Sequence, residues 1–311
     1  MGTPEFAIPT LKKLIEIHDV SCVISQPDRR SGRKYKLKCT PVKEIAVEKN
    51  IPVYQPESLR NEEILDTLEK YNPELIVVAA YGQILPKYIL DYPKFGCINV
   101  HGSILPKYRG SAPIQWALIN GEPETGVTIM RMDTGTDTGD ILAISKVKIN
   151  PNDTSGILFE KLSYLGADLL INTIRKLKDD EINFIKQDQN KATYAPMITK
   201  EMCKVDFSKS ALEIHNLIRG LNPKPASYAT IKDDNKTINI KILSSELPET
   251  ENKLDVQVQP GSIVKILPGR GILVSTINNE SIIIKKIIPE NNKKMTADSF
   301  FINRKVDFFE I

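Results

Sequence analysis

Apolar runs of strand length alternate with helical segments through the first half of the chain. The expected strands lie at 20–24, 51–53, 74–80, 95–100 and 126–131, and expected helices lie at 41–49 and 57–70. Near-continuous apolar runs between amphipathic helices are typical of parallel strands that are covered on both faces. The pattern therefore predicts an α/β domain on a mostly parallel sheet, with an antiparallel direction allowed for the last strand. A long amphipathic segment at 154–178 is expected to close this domain.

The pattern changes in the last third of the chain. Residues 180–199, rich in Asp, Lys, Asn and Gln, are expected to form a linker between domains at 1–179 and 200–311. A helix at 208–220 is followed by the short runs TINIKIL, SIVKIL, GILVSTI and SIIIKKII, separated by turn residues, and by a last helix at about 296–305. This spacing predicts a small antiparallel barrel.

Composition restricts the class of protein. The 311 residues suffice for two domains, and 41 % hydrophobic with 26 % charged residues fits a water-soluble protein. There is no apolar run of about 18 residues, so no membrane span is expected, and the start lacks the pattern of a secretory signal. The four cysteines form no C-x-x-C pair and there are three histidines, so we expect a cytoplasmic, metal-free protein. The net charge of +3 permits nucleic-acid binding without indicating it.

Two polar residues, Asn99 and His101, stand two apart at the end of an apolar run. Residues two apart on a strand point to the same side. A strand end followed by a loop is where an open α/β sheet places its ligands. The alternative is a strand end with a structural histidine, because a lone Asn-x-His is a weak signal. The whole string at 97–115, CINVHGSILPKYRGSAPIQ, together with MDTGTDTGD at 132–140, favours a site.

The segment 132–140 interleaves three aspartates with glycines. A calcium loop is one explanation, but it requires alternating aspartates and a glutamate at its twelfth position. Asp133, Asp137 and Asp140 are spaced four and three apart, and the twelfth residue from Asp133 is Ile144. The glycines fit better with a backbone that approaches a flat ligand closely.

A dense basic stretch follows Asp28. It contains Arg29, Arg30, Arg33, Lys34, Lys36 and Lys38 within ten residues and no acid. Such a block is either a solvated flexible loop or a nucleic-acid contact that becomes ordered on binding.

Five segments together resemble the methionyl-tRNA formyltransferase family. They are GTPEF at 2–6, SQPDRRSGR at 25–33, AYGQILP at 80–86, INVHGSILPKYRGSAPIQWAL at 98–118 and ETGVTIMRMDTGTDTGD at 124–140. The resemblance implies a Rossmann-like formyltransferase domain followed by an OB-like tRNA-binding domain. Members begin with a short apolar strand before GTPEF, and none precedes it here, so we expect the true start to lie upstream.

The resemblance also implies the reaction and its residues. The expected activity is transfer of the formyl group from 10-formyltetrahydrofolate to the amino group of methionyl initiator tRNA, by a monomer. The implied catalytic residues are Asn99, His101 and Asp137. The implied folate contacts are Tyr81, Gly82, Ile84, Ser103, Ile104, Leu105, Pro106 and Asp133. The implied tRNA contacts are Arg29, Arg30, Arg33, Lys34, Lys36 and Lys38.

Two residues beside the site have open interpretations. Arg109 is either a surface charge or a contact to tRNA phosphate. Cys97 is expected to share the side of the strand that carries Asn99, but formyl transfer needs no thiol nucleophile.

Three other functions compete with this one. A formyltransferase acting on a sugar nucleotide or another small amine shares the chemistry but gives no reason for the basic stretch. A dinucleotide-dependent oxidoreductase is disfavoured because no G-x-G-x-x-G precedes the first helix. A catalytically inactive RNA-binding protein is disfavoured by the presence of all three catalytic residue types.

Overall fold

The computed structural model describes residues 1–31, 36–60, 63–233, 236–248, 254, 256–304 and 306–310. The chain forms two compact units. The first comprises Met1–Pro113, Glu124–Lys148 and Phe159–Pro196, and the second comprises Ile114–Pro123, Ile149–Leu158 and Met197–Ile311. Arg33 and Lys34 of the basic stretch lie outside the described residues.

The first unit alternates strands and helices, as the sequence pattern predicts. In chain order its elements are α1 (Ile8–Ile17), β1 (Val23–Ile24), β2 (Arg29–Ser31), β3 (Lys36–Lys38), α2 (Pro41–Glu48), β4 (Val53–Tyr54), α3 (Leu65–Tyr71), β5 (Ile76–Val78), α4 (Lys87–Leu90), β6 (Cys97–His101), α5 (Pro113–Ile119), β7 (Glu124–Arg131), β8 (Ile141–Lys148) and α6 (Ser155–Lys178). Helices α5 and α6 each contribute residues to both units.

The sheet of the first unit is parallel on one side and antiparallel on the other. Strand β1 pairs with β4 and β5 pairs with β6, both in parallel, whereas β6 with β7 and β7 with β8 pair antiparallel. Strand β7 is buried along six of its eight residues, but only the first residue of β8 is buried and the others are half-buried or exposed, as expected for a strand at the edge. The antiparallel direction allowed for 126–131 is therefore confirmed, while the sequence pattern does not predict β8.

Met1 and Gly2 lie between the parallel pairs. The Gly2 amide donates to Ile24 O at 3.0 Å, and the Ala79 amide donates to Met1 O at 3.0 Å. Gly2 and Ala79 form a parallel bridge. The first two residues thus occupy a strand position in the sheet, directly before the turn at Thr3 and Pro4.

Residues 180–196, expected to belong to a linker, pack within the first unit. Ile185 pairs with Ile141 at the start of β8, and Tyr194 forms a bridge to Arg109. These bridges place the segment beside the loop that follows β6 and beside the start of β8. The predicted domain boundaries at 179 and 199 stay a prediction.

The second unit is rich in β-structure. After α7 (Ala211–Gly220), its strands are β9 (Ser227–Asp233), β10 (Lys236–Glu246), β11 (Ile263–Leu267), β12 (Gly271–Ser275), β13 (Ser281–Pro289), β14 (Met295–Thr296) and β15 (Phe309–Glu310), with α8 (Ala297–Phe301) before β15. Helix α7 starts at a capping box in which the side chains of Ser210 and Glu213 each bond the backbone of the other. The predicted last helix is shorter than expected, because it ends at Phe301.

The strands of the second unit close into a barrel. The sheet order is β11-β12-β13-β10-β9-β15, with β14 on β13. The edge at β15 returns to the opposite edge, because the Phe309 amide donates to Gly261 O at 2.8 Å and the Ile263 amide donates to Asp307 O at 2.7 Å. Closure removes the free strand edges. The predicted fold class, a Rossmann-like α/β domain followed by a small antiparallel barrel, is confirmed.

Candidate active site

Strand β6 carries two of the three expected catalytic residues. It lies between β5 and β7, with Asn99 opposite Val78 on one side and Met130 on the other. His101 is the last residue of the strand and only 5 % of it is exposed. Because side chains alternate along a strand, Asn99 and His101 share one face.

The ring of His101 is oriented by the loop that follows. Its Nε2 lies 3.0 Å from the carbonyl oxygen of Tyr108, and since a carbonyl can only accept, Nε2 carries a proton. Its Nδ1 lies 3.6 Å from Oδ2 of Asp137, which is an ion-pair distance but too long for a hydrogen bond. The Nδ1 edge of the ring is thus the edge that faces the expected site of reaction.

Asp137 meets both residues of the strand. Its Oδ1 lies 3.5 Å from the side-chain nitrogen of Asn99, and its Oδ2 accepts a hydrogen bond from the Gly110 amide at 2.8 Å. The backbone of Asp137 has a φ of +53°, in the left-handed region. The structure therefore brings Asn99 and His101 of β6 together with Asp137 of the loop between β7 and β8.

Cys97 lies on the same strand but is buried. It is 1 % exposed, and its Sγ donates to the carbonyl of Ile89 at 3.4 Å. Burial raises the pKa of the Cys97 thiol to about 12. A thiol with so high a pKa is not ionised at neutral pH, so it supplies no nucleophile.

The predicted folate segment after β6 has two buried and two accessible side chains. Ser103 is fully buried, and its hydroxyl donates to the Lys107 carbonyl at 2.7 Å. Leu105 is 2 % exposed and packs in the core. Ile104 and Pro106 are half-buried. Because the side chains of Ser103 and Leu105 are buried, their predicted contact with folate is a prediction for their backbone atoms only.

The other predicted folate residues also differ in exposure. Tyr81 is 2 % exposed and belongs to the core, and burial raises its pKa to about 12. In contrast, Gly82 and Asp133 are exposed and 75 % of Ile84 is open to solvent. Asp133 accepts hydrogen bonds from the Gly135 amide and the Thr138 hydroxyl, which shape its loop.

Arg109 is placed differently from either expectation. It is 1 % exposed, although arginine is seldom buried. Its Nε and Nη2 donate to Oε1 of Gln187 at 3.1 and 2.7 Å, and its Nη1 donates to Oε1 of Gln189 at 2.8 Å. A guanidinium held in this way does not reach a phosphate, so neither a surface charge nor a tRNA contact describes this residue.

A large cavity lies elsewhere. About 440 Å³ in volume, it is lined by residues at the amino ends of β1 and β5, among them Cys22, Asn72 and Leu75. None of the candidate catalytic residues lines it.

Within the described residues, no three His, Cys, Asp or Glu side chains are grouped as metal ligands would be. Among the described helices, none has the length and apolar character needed to cross a membrane.

Two family comparisons cover most of the chain. Residues 3–174 match the family described as Formyl transferase, and residues 197–305 match Formyl transferase, C-terminal domain. The chain belongs to the formyl transferase family.

This formyl transferase has close relatives along nearly its whole length. It is 50 % identical over 282 residues to Methionyl-tRNA formyltransferase of Clostridium novyi (strain NT), covering 88 % of this chain and 89 % of the relative. It is 44 % identical over 308 residues to the protein of the same name from Clostridioides difficile (strain 630), covering 99 % and 96 %. The match over both domains bears out the expected enzyme class.

A solved structure shows the same fold. An N-formyltransferase from Helicobacter canadensis, in complex with folinic acid and dTDP-3-aminofucose, has a TM-score of 0.66 at 22 % identity, covering 91 % of this chain and 96 % of that one. At this identity the likeness speaks for the fold alone.

Two described parts of the basic stretch, β2 and β3, form the paired strands of a hairpin. Strands β2 and β3 pair antiparallel, with Arg29 opposite Lys38 and Arg30 opposite Leu37. Arg29, Arg30 and Lys38 are exposed, and among the described residues no ion pair involves them. Lys36 lies in β3. The hairpin therefore presents positive charge to solvent.

A polar network holds the base of this hairpin. Asp28 accepts from Lys43 Nζ at 2.6 Å and from the Gln55 side-chain amide at 2.8 Å. Cys39 Sγ lies 3.7 Å from the same carboxylate. The Gln55 hydrogen bond, followed by Lys43, lowers the pKa of Asp28 below its usual value. The two chain ends of the hairpin are thus tied to one charged side chain.

Sequence reasoning missed Gln187 and Thr193, which contact the catalytic loops. Gln187 bonds Arg109 and the Asp137 loop, and the Thr193 hydroxyl accepts from the Tyr108 amide at 2.9 Å. They lie in a polar stretch without apolar periodicity, which is the pattern of a linker. No local signal in the sequence distinguishes them.

Proposed function

We propose that this chain transfers the formyl group of 10-formyltetrahydrofolate to the amino group of methionyl initiator tRNA. The observation that carries the proposal is the meeting of Asn99 and His101 with Asp137, at 3.5 and 3.6 Å, at the end of β6. An amide donor, an imidazole and a carboxylate around one point are what acyl transfer to an amine requires. The relatives' shared name supports tRNA as the acceptor.

Each residue has a distinct task in the reaction. Asn99 donates its side-chain N–H to the formyl oxygen. His101, protonated on both ring nitrogens as the imidazolium, donates from Nδ1 to the same oxygen, while its Nε2–H stays bonded to Tyr108. Both donors act as negative charge develops on that oxygen. Asp137 accepts a proton from the incoming ammonium group. The new C–N bond to methionine forms, the bond to the folate nitrogen breaks, and one proton passes to that nitrogen.

The accessible residues fit a folate donor. Ile84 is a large apolar side chain that is mostly exposed beyond β5, and Gly82 beside it is also exposed. Ile104 and Pro106 add half-buried apolar surface in the segment that follows His101. A flat, partly apolar ring system requires such a surface, together with the polar loop of Asp133. We assign these residues, and backbone atoms of Tyr81, Ser103 and Leu105, to the folate site.

The basic hairpin supports a tRNA substrate. Arg29, Arg30 and Lys38 offer charge to solvent, and Arg33, Lys34 and Lys36 add to it in the sequence. We assign these six residues to phosphate contacts at the acceptor end of tRNA, and we assign the C-terminal barrel to tRNA binding as well. We also propose that the protein acts as a monomer in the cytoplasm.

Formyl transfer to a sugar nucleotide or another small amine is the second candidate. The solved Helicobacter canadensis enzyme has an amino sugar nucleotide in its complex, but at 22 % identity its likeness to this chain extends to the fold alone. A small acceptor also gives no reason for an exposed basic hairpin. The full-length relatives at 44–50 % identity favour tRNA instead.

One competition assay tests the proposal. The protein is incubated with 10-formyltetrahydrofolate, charged initiator tRNA and an equimolar amino sugar nucleotide, and the blocked amino groups of both acceptors are counted. We expect formyl-methionyl-tRNA to be the main product. Formylation of the sugar alone would support the second candidate, and formylation of neither would contradict both.

A further inference from the structure

We propose that Gln187 is a positioning residue that, together with buried Arg109, holds Asp137 in its catalytic position. The inference rests on the proposed function, since it takes Asp137 as the catalytic carboxylate. It concerns a segment expected from the sequence to be a linker. All of the contacts involved lie within the first unit.

Gln187 connects a cation to the loop of Asp137. It is 8 % exposed, and its Oε1 accepts both the Nε and the Nη2 hydrogen bonds of Arg109. Its Nε2 donates to the carbonyl of Asp137 at 2.9 Å and to the carbonyl of Gly139 at 2.7 Å. All four hydrogen bonds of the side-chain amide are used in one geometry.

Arg109 determines which way this amide points. A guanidinium can only donate, and a backbone carbonyl can only accept. If the amide were turned over, its NH₂ group would face the guanidinium of Arg109 and its oxygen would face two carbonyls. The buried cation therefore selects the orientation in which Gln187 donates to the loop. This requirement gives a reason for burying Arg109.

Asp137 needs external support. Its φ of +53° lies in the left-handed region, which costs a non-glycine residue conformational energy, so surrounding contacts must hold it there. Gln187 holds the carbonyl of Asp137, and the Gly110 amide holds its carboxylate. Arg109 orients Gln187, and Gly110 follows Arg109 directly. Two neighbouring residues of one loop therefore stabilise the position of Asp137.

The same segment also holds that loop. The Arg109 amide donates to Thr193 O at 2.8 Å, and the Ala195 amide donates to Arg109 O at 2.7 Å. The Thr193 hydroxyl accepts a hydrogen bond from the backbone amide of Tyr108. The carbonyl oxygen of Tyr108 in turn orients the ring of His101. Gln187, Thr193 and Ala195 therefore contact the loops that position both His101 and Asp137.

A pair of matched variants tests the role of Gln187. Gln187→Glu keeps acceptor oxygens for Arg109 but loses the NH₂ that binds the Asp137 loop. Gln189→Glu places the same new charge beside the same guanidinium, but the described structure shows no hydrogen bond between the Gln189 side chain and that loop. We measure kcat, KM for tRNA and folate, and the thermal unfolding midpoint for both.

We expect Gln187→Glu to lower kcat about tenfold or more, with both KM values within about twofold of wild type. Gln189→Glu is expected to keep its kcat. Equal kcat values for the two variants, or an effect on KM alone, would overturn the proposal. If Gln187→Glu does not fold, Gln187→Asn keeps the amide and shortens its reach, and the same loss of kcat is expected.

Asp137→Ala in the same assay separates this inference from the proposed function. If Asp137→Ala is inactive while Gln187→Glu is fully active, the positioning role fails and the catalytic role stands. If Asp137→Ala retains wild-type turnover, the catalytic assignment itself fails. If Asp137→Ala and Gln187→Glu both lose kcat while Gln189→Glu does not, both are supported.

Discussion

The backbone amide of Gly110 donates a 2.8 Å hydrogen bond to Oδ2 of Asp137. This is the oxygen that lies 3.6 Å from the imidazole of His101. The loop that follows β6 therefore orients the histidine through the Tyr108 carbonyl and the aspartate through the Gly110 amide. A shift of this loop changes both catalytic groups at once.

We expect Gly110→Ala to lower activity by moving this loop. Gly110 has a φ of +118°, and a Cβ placed there would lie 2.8 Å from the Ala195 carbonyl oxygen. The backbone must then move away from Ala195, and strain of this kind costs about 1–3 kcal/mol. The measurement is kcat together with the free energy of unfolding. Gly269→Ala is the control, since Gly269 has a positive φ of +75° but no atom within 4 Å of its added Cβ. Equal kcat values in the two variants would contradict the expectation.

Alanine substitution at Asn99, His101 or Asp137 should each reduce turnover strongly. Loss of a donor to the developing oxyanion costs about 10²- to 10³-fold in kcat. The affinity for tRNA should change little, because none of the three lies on the basic hairpin. Single-turnover formylation and filter binding measure the two quantities. Cys97→Ala, which removes a buried thiol on the same strand, should keep kcat close to wild type. Near-normal turnover would remove a residue from the mechanism.

Charge removal in the basic stretch 29–38 should weaken tRNA binding. The double variant Arg29→Ala with Arg30→Ala, and Arg33→Ala separately, are expected to raise KM for tRNA. They should also reduce the slope of log affinity against log salt by about one for each phosphate that the variant no longer neutralises. Lys12→Ala is the control, because Lys12 is also exposed in the first unit but lies on α1. An unchanged salt slope would indicate that the hairpin does not contact tRNA phosphate and is only a solvated surface feature.

The network at Asp28 predicts a pH-dependent stability. Hydrogen bonds from Gln55 and Lys43 lower the pKa of Asp28 in the folded protein, so its stabilisation is complete above the unfolded pKa of about 4 and is lost as pH falls through the folded pKa. We expect Asp28→Asn to reduce the free energy of unfolding at pH 7 by about 1–3 kcal/mol.

Denaturant unfolding of wild type and Asp28→Asn at pH 7, 5 and lower values checks this prediction. The difference between the two proteins should be constant from pH 7 to about 5 and shrink below about pH 4. Asp19→Asn, at an exposed position, should show no such change. A difference that is the same at every pH would show that charge on Asp28 is not the cause.

Local pattern and motif spacing predict most of the fold but not the support of the site. Strand β6 can be found because its apolar run ends in Asn99 and His101. The role of Arg109 cannot, since nothing in the sequence indicates that an arginine between Tyr108 and Gly110 is buried. Its partner Gln187 is far along the chain, in a stretch without apolar periodicity. Long-range side-chain hydrogen bonds leave no period in the sequence, and so the pattern of this stretch indicates a linker.

Of the four cysteines, Cys39 beside the hairpin is the one exposed to a thiol-labelling reagent. Cys22, Cys97 and Cys203 are partly or fully buried, and burial raises the pKa of each thiol, whereas Cys39 is exposed beside the Asp28 carboxylate. A maleimide fluorophore will therefore label Cys39 first. A dye at this position sits one residue from the end of the basic hairpin, so the native sequence already contains a reporter for the arrival of a polyanion.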